Sequence, residues 1–167
     1  MVEIERELVL MAQRVLDVNR YMVLGTLDTD GSPRLSPVRY TRNGYRDLYW
    51  ASAYRSHHSG NIAARPLIRI VIYDSTAKND QGEGVYLEAK AGVVSEEQLP
   101  TVCAGLGSRP TVTRHPAPAD FSGTSPMRLY HAQVLSCEVH VSRFHPILGT
   151  GVDARRRVSL PAGEDEA

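Results

Sequence analysis

Two apolar runs, Leu48–Ser52 and Leu67–Tyr73, flank a short polar segment, and no other stretch limits the fold as tightly. Both read as strands, being short, rich in aromatic or β-branched residues, and bounded by Asp, Ser or Pro. Between them, Ser56 is a good N-cap residue, and the segment runs to Arg65 before Pro66 stops it. The expected unit is strand–helix–strand. Its helix start leaves free N–H groups beside Ser56, His57, His58 and Ser59, and such an end attracts anions. Hydroxyls and imidazoles there add donors suited to a phosphate. An ordinary capped surface helix is the competing explanation, and the rest of the chain has to decide between them.

Around this unit the pattern predicts a mainly β chain. Ile4, Leu8, Met11 and Val15 mark one face of an N-terminal helix ending near Val18. Tyr21–Leu27 reads as a strand, Asp28–Ser32 as a turn, and Arg34–Tyr40 as a second strand. Pro37 cannot donate to a ladder, which predicts an edge, a bulge or a backbone stretch facing a ligand. Asn43-Gly44 signals a hairpin into Leu48–Ser52, so a three-stranded antiparallel meander is expected before the Ser56 helix.

Asp74–Gly84 is a polar loop, expected to be mobile and to border a ligand entrance. Val85–Val94 resumes a strand, and Ser95-Glu96-Glu97-Gln98 reads as a capping box, with a restart at Pro100. The prolines Pro110, Pro116, Pro118 and Pro126 make Arg109–Pro126 irregular. Met127–Arg143 is the longest strand candidate. Leu129, Leu135, Val139 and Val141 share one parity and Tyr130, Ala132 and Val134 the other, which predicts one face on the core and one on a partner. Arg155–Leu160 could close the sheet, and Gly163–Ala167 is an acidic tail expected to fray. The sum is one domain, residues 1–167, with helix 1–18 and a frayed end at 161–167. Six or seven strands and two or three short helices in one unit argue for a small closed or partly open antiparallel barrel.

Composition removes several functions. Nineteen basic and nineteen acidic residues cancel, so no global field favours nucleic acid. No apolar run approaches the roughly 20 residues of a membrane span, and the charged N-terminus is unlike a signal peptide, which points to the cytoplasm. The six histidines are scattered without metal-ligand spacing, so no metal site is expected. Cys103 and Cys137 read as free thiols. Arg155-Arg156-Arg157 reads first as a solvated strand edge and second as a phosphate or ligand contact.

The order of the pieces carries more than any one motif. The stretch Leu24-Gly25-Thr26-Leu27-Asp28-x-Asp30-Gly31-x-Pro33-Arg34-Leu35-Ser36-Pro37-Val38 is followed by Leu48-Tyr49-Trp50-Ala51-Ser52. Then come Ser56-x-His58-Ser59-x-Asn61-Ile62 and Gly84-Val85-Tyr86-Leu87-Glu88-Ala89. Arg128-Leu129-Tyr130-x-Ala132 and Gly149-Thr150-Gly151-Val152-Asp153 close the series. Together, over roughly residues 20–158, they resemble the FMN-binding split-barrel family related to pyridoxamine 5′-phosphate oxidase.

The resemblance implies a mainly β fold, a split antiparallel barrel of Greek-key type with a few short helices, forming a homodimer with the flavin at its interface. Ser36, Pro37, Val38 and Arg39 would run beside the isoalloxazine ring, and Trp50, Ala51 and Ser52 would support the ring and ribityl chain. Ser56, His57 and His58 would hold the phosphate, while Gly84 and Val85 approach from the other side. His58 stands where members commonly carry lysine or arginine, Ser36 where the oxidase has arginine, and Thr41 where it binds its substrate's phosphate with lysine. The implied function is an FMN-dependent oxidoreductase acting on a small organic substrate rather than on the vitamin. The alternatives are a reductase using the deazaflavin coenzyme F420, a non-catalytic flavin-binding protein, and an interaction domain with a vestigial pocket.

Overall fold

Met127–Val141 (β7) is the longest strand, and the sheet is arranged around it. The computed structural model describes residues 3–78, 81–107 and 114–161. The other strands are Tyr21–Leu27 (β1), Pro33–Arg39 (β2), Thr41–Asn43 (β3), Asp47–Ala53 (β4), Leu67–Tyr73 (β5), Gly84–Val93 (β6) and Ala154–Val158 (β8). Among the described residues these form one antiparallel sheet, ordered β2-β1-β5-β6-β7-β4-β3, with β8 also on β7. The helices are Glu3–Val18 (α1), His57–Ala64 (α2) and Leu99–Gly107 (α3). The sheet curls into a split antiparallel β-barrel with flanking helices. Its split lies between β2 and β4, which touch without pairing.

This order corrects the expected meander. β1 and β2 form a hairpin, but β4 pairs with β7, not with β2. The reason lies at Tyr40. Its N–H bonds to Arg20 O and its hydroxyl to Leu16 O, pinning the end of β2 under α1. The chain leaves that point through the short strand β3, which sequence reading did not separate. Pro37 therefore sits on an end strand of the sheet, where a missing N–H costs no ladder bond.

β7 also corrects its own reading. Its register against β6 shifts between Ala89↔Val134 and Glu88↔Ser136, leaving Leu135 as an extra residue. A one-residue bulge exchanges the faces. Tyr130, Ala132 and Val134 point into the main core before it, and Cys137, Val139 and Val141 after it. The two parities are thus largely one buried face, and Leu135 is left 52% exposed. Leu129 instead joins a second core with α3, Val94 and Phe121.

α1 lays Leu8, Met11, Ala12, Val15 and Leu16 on the barrel core, while Ile4 stays exposed in its first turn. Burial of each of these but Ala12 stabilises by about 1.5–3 kcal/mol before chain entropy is subtracted. Ser95 Oγ accepts from Gln98 N, but this cap forms a turn, and α3 begins at Leu99 with Pro100 second. β8 ends at Val158, and Leu160 continues into the core with its carbonyl bonded by Arg46. Both cysteines are buried and free, and burial pushes the Cys137 thiol up to about 12. Pro110 and the tail Gly163–Ala167 lie outside the described residues.

Candidate functional site at the start of the α2 helix

β4 delivers Ser52 and Ala53 to one mouth of the barrel, and a tight turn, Ser56 N to Ala53 O at 3.0 Å, redirects the chain into α2. Ser56 has extended backbone angles and caps the helix by accepting from Ser59 N. The hydroxyls form a directed chain. Ser59 Oγ donates to Ala53 O at 2.9 Å, and Ser56 Oγ donates to Ser59 Oγ at 2.8 Å. His58 Nε2 lies 2.9 Å from Ser52 Oγ and 3.2 Å from Ser56 Oγ. The Ser56 proton is already engaged, so its oxygen can only accept, which makes His58 Nε2–H the donor there. Half-burial holds the His58 pKa below its ordinary value and favours the neutral ring at pH 7. The N–H groups of His57 and His58 are first-turn amides with no intrahelical acceptor.

The second side of α2 was not anticipated. His57 turns away from His58 and lines a polar recess of about 250 Å³ with Asp28, Thr29, Asp30, Arg34 and Asn61. Asp28 organises it. Arg34 Nε lies 2.8 Å from Asp28 Oδ1, and its terminal nitrogen lies 2.7 Å from Oδ2. Asn61, a buried side chain, donates to Asp28 Oδ1 at 2.7 Å and to Thr26 Oγ1 at 3.1 Å. Arg34, and then Asn61, hold the Asp28 carboxyl down to about 2. The signal was an Asp-rich turn followed by an asparagine inside a short helix, but turn chemistry and capping explain each of those separately.

The expected site residues divide into groups. Ser52, Ser56 and His58 converge at the α2 mouth. Ser36, Pro37, Val38 and Arg39 lie on β2 across the split, with Val38 buried and Pro37 and Arg39 exposed. Trp50 turns its indole into the core, 2% exposed and stacked on Tyr130 at 5.4 Å. Its Nε1 is, among the described residues, a buried donor with no acceptor. Ala51 faces outward. Gly84 and Val85 are not at this mouth: Gly84 pairs with Tyr73, the last residue of β5, whereas α2 leads into its first. That is roughly 20 Å along the strand at about 3.3 Å per residue. The described residues of the β5–β6 loop include Glu83 at the same far end, ion-paired to Arg14 of α1.

Chemically, the α2 mouth offers amides, a hydroxyl and an imidazole to an oxyanion. Among the described residues no arginine or lysine is bonded to the Ser52, Ser56, His58 and Ser59 cluster, and the exposed Arg55 lies over the Tyr54 ring. Arg128, opposite Ser52 in the ladder, donates to the carbonyls of Gly123, Ser125 and Met127. The donor set fits a phosphate of modest affinity, with charge supplied only when His58 is protonated.

No described helix is long and apolar enough to cross a membrane. No curated protein matches the sequence. Several solved structures share the fold. A heme-binding protein from Mycobacterium smegmatis superposes with a TM-score of 0.63 at 20% identity, covering 88% of this chain; the chain spans 56% of that protein. HutZ, the heme storage protein of Vibrio cholerae, gives 0.62 at 19% identity, covering 81% of this chain and 94% of the other. An F420 reductase gives 0.54 at 15% identity, covering 75% of this chain and 94% of its own. The family model described as pyridoxamine 5′-phosphate oxidase matches residues 11–128, well over half of the sequence. The chain belongs to the pyridoxamine 5′-phosphate oxidase family.

Proposed function

We propose that the protein binds FMN and uses it for a redox reaction on a small organic molecule. The observation that carries this reading is the α2 mouth: two unengaged amides, the Ser52 hydroxyl and the His58 imidazole gathered beside an open barrel split. Ser52, Ser56, His57 and His58 would hold the phosphate, and the β2 backbone from Ser36 to Arg39 would flank the ring. Trp50 and Ala51 would contribute strand backbone, since the indole is buried. The flavin supplies the hydride chemistry, and the protein supplies binding and orientation. No side chain at the mouth is assigned as a general acid or base.

Gly84 and Val85 complete the site only from a second copy, because one chain holds them at the opposite end of the barrel from α2. The outer face of β1, β2, β5 and β7 suits a homodimer. Tyr21, Leu35, Leu67, Tyr73 and Leu135 are all more than half exposed there.

The same cofactor position serves the deazaflavin coenzyme F420 or a flavin carrier without turnover, and the fold does not separate these. A heme reading has its own observation. A groove of about 680 Å³ on the outer face is lined by the apolar Val23, Leu35, Val71 and Leu135, by Arg155 and Arg157, by Arg69 ion-paired to Glu88, and by Glu138. That suits a planar apolar ligand with carboxylates. The visible spectrum of the purified protein, followed by titration with FMN, F420 and hemin, tests all of these. Flavin absorbance and FMN quenching support the first reading, and a Soret band with no FMN binding replaces it with the heme one. Turnover with NADPH or reduced F420 separates enzyme from carrier.

A further inference from the structure

The structure assigns Asp28 and Asn61 as the positioning pair that sets where the α2 amides stand relative to β2. The inference rests on the phosphate reading of the α2 mouth and goes beyond it, because neither residue belongs to the oxyanion cluster. α2 is only eight residues long, too short to hold itself in water. Its main apolar anchor is Ile62, which fixes depth but not rotation about the helix axis. Rotation is fixed by polar contacts: Ser59 Oγ holds Ala53 O at the helix start, and two further grips hold the C-terminal half. Asn61, midway along α2, donates to Thr26 Oγ1 and Asp28 Oδ1, both at the end of β1. Arg65, at the C-cap, donates to the carbonyls of Leu27 and Asp28. Both grips reach the same turn.

The other half of the device is Arg34, the second residue of β2, which holds the Asp28 carboxylate with two nitrogens. One carboxylate thus joins α2, which presents the amides, to β2, the strand on the opposite lip of the split. The network is satisfied, and a buried asparagine with both acceptors in place specifies one orientation rather than adding much stability. Loosening it turns the first-turn amides and His58 away from a shared focus, while β2 and the core remain paired.

The test separates positioning from stability by comparing two ligands that differ only in the phosphate. Dissociation constants for FMN and riboflavin are measured by fluorescence quenching on the full chain and on Asp28→Asn and Asn61→Leu, together with thermal midpoints. Asp28→Asn keeps the shape and a possible bond to Asn61 but removes the ion pair with Arg34, so it stays informative should Asn61→Leu fail to fold. The expected result is FMN weakened about tenfold or more, with riboflavin held within about twofold, in Asp28→Asn. The preference for FMN over riboflavin then collapses toward one. Parallel weakening of both ligands alongside a lowered midpoint shows a structural role only and overturns the inference, as does unchanged binding of both. A parent protein that binds FMN no better than riboflavin removes the phosphate reading itself, and this inference with it.

Discussion

At the residue scale, His58 concentrates the chemistry of the mouth. Burial lowers its pKa in the free protein, so charging it costs stability. A histidine with a depressed folded pKa contributes stability that is present above the unfolded value, about 6.5, and is lost as pH falls through the folded one. A phosphate dianion would act in the opposite direction, favouring the charged ring and raising the bound-state pKa. FMN binding then takes up a proton, and affinity falls as pH rises from the lowered free value to the raised bound one. His58→Lys replaces this with permanent charge, so FMN should bind at least as tightly with little pH dependence. His58→Ala should lose roughly 1–3 kcal/mol. Quenching titrations at pH 6, 7 and 8 decide it; equal affinities in all three proteins would detach the imidazole from the phosphate. Gly149 gives a prediction independent of any ligand. A Cβ there would lie 2.6 Å from the backbone oxygens of both Arg143 and His145. Neither oxygen is a flexible tip that can move aside. Gly149→Ala should therefore lower stability by about 1–3 kcal/mol, the usual range for overpacking. A thermal midpoint equal to the parent's would refute it.

At the element scale, the bulge in β7 is the test case. Leu135 is the inserted residue, and it is half-exposed. Replacing it with serine removes little buried area and should leave the folded fraction near that of the parent. Deleting it makes the ladder regular while keeping every pairing after the bulge, so Val134, Cys137, Val139 and Val141 all stay inward. The deletion should therefore retain cooperative unfolding, as followed by circular dichroism. Loss of the cooperative transition in the deletion variant would mean that Leu135 is not simply an extra residue, and the account of the two parities would fail. Hydrophobic parity along a strand therefore reports burial only when the strand is known to be regular.

At the scale of the whole molecule, the outer face gathers Tyr21, Leu35, Leu67, Tyr73 and Leu135, all large, apolar and more than half exposed. Leu35, 73% exposed, and Leu135 lie on the same groove. With a two-fold axis through this face, Leu35→Glu sets like charges against each other across the interface. We expect a parent dimer at micromolar concentration with an interface of about 2,000 Å² or more, and a monomeric Leu35→Glu variant that has lost FMN affinity because Gly84 and Val85 no longer arrive. Sedimentation of the parent as a monomer would remove the shared-site model.

What the sequence determined by itself is local. Ser56, Pro66 and the flanking β-branched runs specify strand, capped helix and strand within short range, and β5 spans the predicted residues Leu67–Tyr73. The cap was legible because a serine side chain and an amide three residues later meet without help from the rest of the chain. The tertiary structure decided whatever depends on distant partners. That β4 lies against β7 instead of β2 follows from the pinning of Tyr40 under α1, a contact across 24 residues. That one carboxylate, Asp28, ties β2 to α2 follows from bringing Asn61 across 33 residues, which no local pattern encodes. Side-chain geometry within a turn is set by bond rotations near that turn. The pairing of strands and the sharing of one carboxylate are set by closure of the whole barrel, and only the folded chain displays it.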